Sequence, residues 1–318
     1  MHRRGDTVVV IYGTDQDWTG EFARAYGIGA VADTMADLGR HEIDAVYVAG
    51  KNQHHHQRAM AAIEAGRHVL CEKPVALSLA DMVEMVEAAE TAGLVFAVNH
   101  HLPGAATHRL IRETVFGGAI GRPLAVRVGH AVLLPERLRG WRLHVADGGG
   151  VGLDVTSHSV SAVQSILGTT ARTATATGVR QSGWDLTYDA MDALMGVLEF
   201  DNDVIVQTHD AFTVEFSPTS IEIIGTEGTV LGESVMTQDP IGSVRLRDRR
   251  VRELEVRDRR DLYSVILDAF AASIAGDGRP TVDGWTGVAA TATALAVERA
   301  AVSGRRLPVE ARAAVAGS

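Results

Sequence analysis

Among its 318 residues the chain has one cysteine, Cys71. A single thiol excludes an intrachain disulfide framework and suits a reducing cytosol. No apolar run is long enough to span a bilayer, and the start, MHRRGD, lacks the basic-then-apolar pattern of a secretory leader. Positive charge is in deficit: 30 Lys and Arg stand against 40 Asp and Glu, for a formal net charge of −10. That balance argues against nucleic acid or an anionic membrane as partner. Repeats, low-complexity linkers and charge blocks are absent as well, so any domains are expected to abut closely. The expectation is a soluble, cytoplasmic, acidic globular protein. A hydrophobic fraction of 46% is ample for packed cores, and the length suggests two domains.

A further absence bears on chemistry. TVVVIYG (7–13) is an apolar, β-branched run that ends in Gly13, Thr14 and Asp15 and leads into a helical stretch, as at the start of a nucleotide-binding βαβ unit. A first strand of that kind needs a glycine-rich turn, where backbone N–H groups and a helix N-terminus meet a pyrophosphate. Here the turn is GTDQDW, with one glycine and the carboxylates Asp15 and Asp17. An acidic turn suits the second strand of such a unit, where the adenosine ribose is recognised. On this reading strand one and the phosphate loop are absent from the chain as given, and MHRRGD is the tail of a preceding helix.

Strands and helices alternate over the first hundred residues. IDAVYVAG (43–50), HVLCEK and LVFAVNHH read as strands. Between them, 54–67 and SLADMVEMVEAAETAG read as helices, the latter with Ser78 as N-cap and Gly93 as stop. This rhythm predicts a doubly wound parallel sheet. After about residue 102 a helix near 107–116 and the strand LAVRVGHAVL lead to GGGVGLDVTSHSVSAVQSILG, a loop plus helix. The runs TATATGVR, DALMGVLEFDNDVIVQTHDAFTV, SIEIIGTEGTVLG and SVRLRD then read as strands, before helices at about 261–275 and 285–303. Strands following strands predict an open, mostly antiparallel sheet with helices on one face. The expected fold class is α/β. Residues 1–101 form an N-terminally shortened Rossmann-like domain, and residues 102–318 a substrate-binding α/β domain.

Several residues carry possible chemistry. Lys73 ends a strand just before Pro74, which stops the strand, can hold a cis bond, and aims the lysine into the cleft at the sheet's carboxyl edge. A surface lysine in a turn reads equally well from the pattern. Gly148, Gly149 and Gly150 permit close backbone approach, and Asp154 and His158 follow four residues apart, on one helix face. A histidine there can move a proton near neutral pH, with the carboxylate orienting it or binding a substrate hydroxyl. A helix cap and a core histidine are the plainer alternative. His54, His55 and His56 point in different directions on a helix and have no partner at zinc-site spacing, so no metal is expected; one should face inward and two outward. His100 and His101 end a strand at the ligand-binding edge, where a core role is equally open. Trp141 and Arg142 offer an apolar plate and a cation to a polyhydroxylated ligand, or else a packed Trp beside an exposed Arg. Cys71 is expected to be inert in a buried strand.

The motifs IDAVYVAGKNQHHHQRAM, AGRHVLCEKPVALSL, NHHLPGAATHRLIRETV, GAIGRPLAV, GWRL, GGGVGLDVTSH and DAFAASIAGDGRP give the chain a resemblance to the Gfo/Idh/MocA sugar oxidoreductases (glucose–fructose oxidoreductase, inositol dehydrogenase). It extends over essentially the whole chain. The resemblance implies a nicotinamide at the junction of two domains, exchanging hydride with a sugar or anhydrosugar carbon. It implies Lys73 and His158 as the proton-handling and carbonyl-polarising pair, with Asp154 holding the substrate or His158. It also implies Thr14, Asp15, Asn52, His55, Glu72, Lys73 and Asn99 beside the cofactor. His101, Trp141, Arg142, Asp154 and His158 would then line the sugar site.

The departures fall at the cofactor. Where the resemblance expects an Arg for a 2′-phosphate the chain has Trp18, and Asp15 would repel that phosphate, so the turn favours NAD over NADP or holds neither well. The first expectation is therefore an NAD(P)-dependent sugar oxidoreductase, monomeric or dimeric through its open sheet. A cofactor-independent lyase, hydratase or isomerase that reuses Lys73, Asp154 and His158 is the second, and a non-catalytic sugar-binding protein the third.

Overall fold

A computed structural model describes residues 5–310; the MHRR of the expected preceding helix tail lies outside them. The chain opens with β1 (Val10–Ile11), α1 (Gln16–Tyr26) and β2 (Ala30–Val31), followed by β3 (Ala45–Val48), α2 (His55–Glu64), β4 (His68–Cys71), α3 (Leu79–Thr91) and β5 (Phe96–Val98). β3, β4 and β5 form a three-stranded parallel sheet, while β1 and β2 form a separate parallel pair. The strand expected over 7–13 is thus shorter than its apolar run: two residues find ladder partners, on β2 alone. Among the described residues no ladder joins β1 to β3. Arg58 of α2 reaches across instead, donating from Nη1 to the Ala49 carbonyl at 2.5 Å with its guanidinium 5.9 Å from the Tyr12 ring centroid.

Burial on both faces explains why β4 and β5 read as continuous apolar runs. Val69, Cys71 and Val98 pack with Met82, Met85, Val282 and Val288. Leu70 and Ala97, pointing the other way, pack with Ile266 and Phe270. At about 25 cal/mol per Å² of apolar surface, each of the larger of these, Val, Leu, Ile, Met or Phe, contributes about 1.5–3 kcal/mol. The C-terminal helices α6 (Leu262–Ile274) and α7 (Gly284–Ser303) therefore return to cover the N-terminal sheet.

The second half holds α4 (Ala106–Phe116), β6 (Pro123–Ala131), α5 (Ser157–Leu167), β7 (Ala171–Val179), β8 (Ala193–Phe200), β9 (Ile205–Ala211), β10 (Ser220–Gly225), β11 (Thr229–Glu233), β12 (Ser243–Arg247), β13 (Val251–Leu254) and β14 (Leu307–Pro308). The sheet order is β13-β12-β11-β10-β6-β9-β8-β7-β14, antiparallel throughout except for the β6–β9 pair. Its inner face packs on α4, α5 and α7; the alternate residues Met195 and Val197 are about half exposed. No helix of the described residues is long and apolar enough to cross a membrane.

Candidate active site

Because β3, β4 and β5 run parallel, their carboxyl ends share one edge, which brings Asn52, Glu72–Lys73 and Asn99–His101 to a single cleft. The Lys73–Pro74 peptide is cis. Opposite this edge stands the segment leading into α5. Gly152–Thr156 winds as a π-helix that passes directly into α5, rather than as the plain α-helix the spacing suggests. It still presents Asp154 and His158 on one side.

Lys73 joins the two halves. Its Nζ donates to Asp154 Oδ1 at 2.6 Å and to the Asp154 carbonyl at 2.8 Å. Arg142 Nε lies 3.5 Å from Asp154 Oδ2, with its guanidinium 4.5 Å from the Trp141 ring centroid. Burial pushes the Asp154 carboxyl up, but Lys73 and then Arg142 outweigh it, leaving it below the usual carboxylate range. His158 is buried, its ring 4.6 Å from that of His101 and 5.4 Å from that of His100. Burial, reinforced by the charge of Lys73, keeps His158 neutral well below the usual histidine range. His100 and His101 are held down to about 3 by the same two causes.

The remaining expected residues divide into two groups. Asn99, buried, donates from Nδ2 to Glu72 Oε1 at 2.7 Å and to the Tyr47 hydroxyl at 3.0 Å, and its Oδ1 has no protein partner. Such an orphaned acceptor at the strand end, beside Lys73, fits a ribose hydroxyl or a carboxamide N–H. Asn52 and His55 turn inward. The Asn52 amide donates to the Gly148 carbonyl at 2.9 Å, and His55 Nδ1 lies 2.8 Å from the Pro74 carbonyl. His55 is fully buried while His54 and His56 are partly exposed, as expected for the tract. Asp15 is the N-cap of α1, accepting from the Trp18 N–H at 3.0 Å, and Thr14 beside it is exposed. The acidic Gly13–Thr14–Asp15 turn does not fit a pyrophosphate; the strand-end residues do fit the nicotinamide half of a dinucleotide.

Residues 1–100 match the oxidoreductase family with an NAD-binding Rossmann fold, Gfo/Idh/MocA, and residues 108–231 match that family's C-terminal domain. The chain belongs to the Gfo/Idh/MocA oxidoreductase family. A 1,5-anhydro-D-fructose reductase of Ensifer adhaerens is 42% identical over 308 residues, 96% of this chain and 92% of that one. D-Glucoside 3-dehydrogenase of Escherichia coli is 31% identical over 215 residues, 63% of this chain and 61% of the other. The crystal structure of an aldose-aldose oxidoreductase from Caulobacter crescentus, complexed with glycerol, superimposes with a TM-score of 0.85 at 23% identity, covering 95% of this chain and 91% of that one. Fold class and the NAD(P)-dependent oxidoreductase class thus stand as expected for a Gfo/Idh/MocA protein. These relatives favour the redox expectation over the cofactor-independent one.

Four residues near the site escaped the sequence reading. Tyr263 stacks on His101, ring centroids 5.8 Å apart, and burial with the nearby Glu72 pushes its hydroxyl up to about 12. His130 of β6 lies 6.4 Å from the His158 ring. Asp210 of β9 accepts from the Thr156 and Ser159 hydroxyls, and Glu298 of α7 accepts from the Leu153 N–H at 3.3 Å. For Glu298 a signal existed: a lone acid in the Ala-rich run VAATATALAVERAAV.

Proposed function

We propose that this Gfo/Idh/MocA protein interconverts a sugar or anhydrosugar carbonyl and its alcohol, with a ketose-like anhydrosugar of the anhydrofructose type as the first substrate to try. The observation that carries the proposal is the Lys73–Asp154–Arg142 constellation beside the neutral His158 at the carboxyl edge of the parallel strands. A nicotinamide held here would supply or accept the hydride. Glu72, Lys73 and Asn99 would hold its reactive half, with Asn52 and His55 shaping the turns around it and Thr14 and Asp15 facing the ribose.

In the reduction direction the substrate oxygen gains negative charge as its carbon gains hydride. A Lys73 N–H aimed at that oxygen stabilises the charge. His158, neutral and buried, hydrogen-bonds the same oxygen, and the proton that completes the alcohol passes through this pair. Asp154 holds Lys73 in place and accepts from a neighbouring substrate hydroxyl. Arg142, braced on Trp141, binds the polyhydroxylated face, and His101 closes the floor. General acid–base assistance of this kind is worth roughly 10²–10⁴ in rate.

The Asp15 carboxylate at the α1 N-terminus disfavours a 2′-phosphate, so NADH should bind more tightly than NADPH. A domain boundary at 101/102 places the reacting groups at the seam between the halves. The test is titration of the chain with NADH and NADPH followed by nicotinamide fluorescence, then a screen of ketoses and 1,5-anhydro-D-fructose for NADH oxidation. Saturable binding with turnover supports the proposal. A folded chain that binds neither cofactor overturns it.

A further inference from the structure

Beneath the candidate site a hydrogen-bond chain runs from β9 through α5 to β6. Thr156 Oγ1 donates to Asp210 Oδ2 at 2.8 Å, and Ser159 Oγ donates to Asp210 Oδ1 at 2.7 Å. Ser159 Oγ also lies 3.2 Å from His130 Nδ1. Asp210 and Ser159 are fully buried, and His130 nearly so. Thr156 and Ser159 flank His158 in sequence, so Asp210 holds a side-chain hydroxyl on either side of a proposed catalytic residue.

The direction of each bond follows from the donor inventory. A carboxylate only accepts, so the single Ser159 hydroxyl hydrogen goes to Asp210. With that hydrogen committed, Ser159 Oγ can only accept from His130, and His130 must bring the hydrogen on Nδ1. Burial first, then the charge of Lys73, holds the His130 ring neutral, down to about 3, so it carries one ring hydrogen. Nε2 is left with a lone pair.

We propose that Asp210 is a positioning residue: acting through Ser159, it fixes His130 as the Nδ1–H tautomer and so leaves Nε2 as a hydrogen-bond-accepting nitrogen within the site's histidine cluster. The groups facing His130 are Lys73, His108, Asp154 and His158. An Nδ1–H tautomer set by a carboxylate is the usual way a fold gives one histidine nitrogen a defined role. Here a serine hydroxyl stands between the two. The importance of this tautomer for turnover rests on the oxidoreductase reading above; the tautomer itself does not.

The test is two-bond ¹H–¹⁵N correlation NMR of the full chain with ¹⁵N-labelled histidine at pH 7.5, His130 being assigned by the signal lost in His130→Gln. The expected result is a protonated Nδ1 and an unprotonated Nε2. In Ser159→Ala the fixed preference should be lost, and the nitrogen shifts should move toward those of an averaging imidazole. Should Ser159→Ala fail to fold, Asp210→Asn, whose amide can donate to Ser159, carries the same expectation. A wild-type His130 with its hydrogen on Nε2 overturns the proposal, as does a folded variant that keeps the single Nδ1–H form. Because this readout needs neither cofactor nor substrate, a chain without NADH turnover but with the expected spectrum would remove only the redox reading.

Discussion

Lys73 and Asp154 are 81 residues apart in sequence and 2.6 Å apart in space, and their contact pins the loop after β4 to the π turn that begins α5. The lysine also reaches the backbone carbonyl of the same aspartate, so it fixes the main chain as well as the carboxylate. Arg142 approaches the other carboxylate oxygen, and Asp154 is thereby held between two cations.

Replacing Lys73 with Met should remove the polarising group and leave Asp154 with Arg142 alone. kcat for NADH-dependent ketone reduction is expected to fall at least ~100-fold, with stability lower by about 1–3 kcal/mol because Asp154 loses its lysine hydrogen bonds but keeps Arg142. Steady-state kinetics beside denaturant unfolding measure the two effects separately. A Lys73→Met protein that turns over like the wild type would remove the lysine from the mechanism.

Gly149 is required by a backbone approach. A Cβ there would lie 2.5 Å from the carbonyl carbon and oxygen of Arg142 and from the carbonyl oxygen of Trp141. Neither backbone can yield without displacing the Trp141–Arg142 plate. Gly149→Ala should cost about 1–3 kcal/mol and raise KM for the sugar while leaving NADH affinity within twofold. A rise in cofactor Kd with unchanged sugar KM would contradict the placement.

The sequence made these features legible to different depths. The strand ends carrying Lys73 and Asn99 could be read because apolar runs and their Pro or polar stops are local signals. Asp154 and His158 could be read as sharing a face because i,i+4 neighbours stay aligned through a π turn nearly as well as through an α turn. The π turn itself was not legible: Asp210 and Glu298, which hold it, arrive from β9 and α7. Tyr263 was hidden for the same reason, having no local pattern that marks its stacking on His101. The run at 7–13 looked like a full strand because its composition is right for one, but ladder length depends on partners, and only β2 supplies them.

The buried histidines predict a marked acid sensitivity. His100, His101 and His130 are held down to about 3, His108 to about 4, and His158 well below the usual range, burial being the first cause in each. A histidine neutral in the fold but charged in the unfolded chain contributes stability that is present above pH ~6.5 and lost below it. Asp210, raised to about 6, and Glu298, raised to about 7, act oppositely, because the folded state then binds the extra proton. The histidines outnumber them, so stability should fall by up to about 4 kcal/mol per pH unit on acidification from pH 6.5. Thermal unfolding followed at half-unit steps from pH 8 to pH 5 checks this. A flat Tm across that range would show that the cluster already carries charge in the fold.

Glu298 offers the opposite sign at a single residue. Its carboxyl accepts from the Leu153 N–H and fills the space beside Gly152, where a Cβ would come within 2.3 Å of its Cγ. Burial pushes this carboxyl up to about 7, against the Leu153 hydrogen bond, which favours the charged form. Above pH ~7 the fold therefore carries a costly buried charge, and the cost fades as pH falls from ~7 toward the unfolded value of 4.5. Glu298→Gln keeps the acceptor and the volume but has no charge to bury. It should raise Tm more at pH 8.5 than at pH 5.5, by a difference corresponding to about 2 kcal/mol. Glu298→Ala should instead lower Tm at both pH values, because it opens a void beside Gly152 and strands the Leu153 N–H. If Glu298→Gln shifted Tm equally at both pH values, packing rather than charge would account for the change, and Glu298 would be only a spacer between α7 and the π turn.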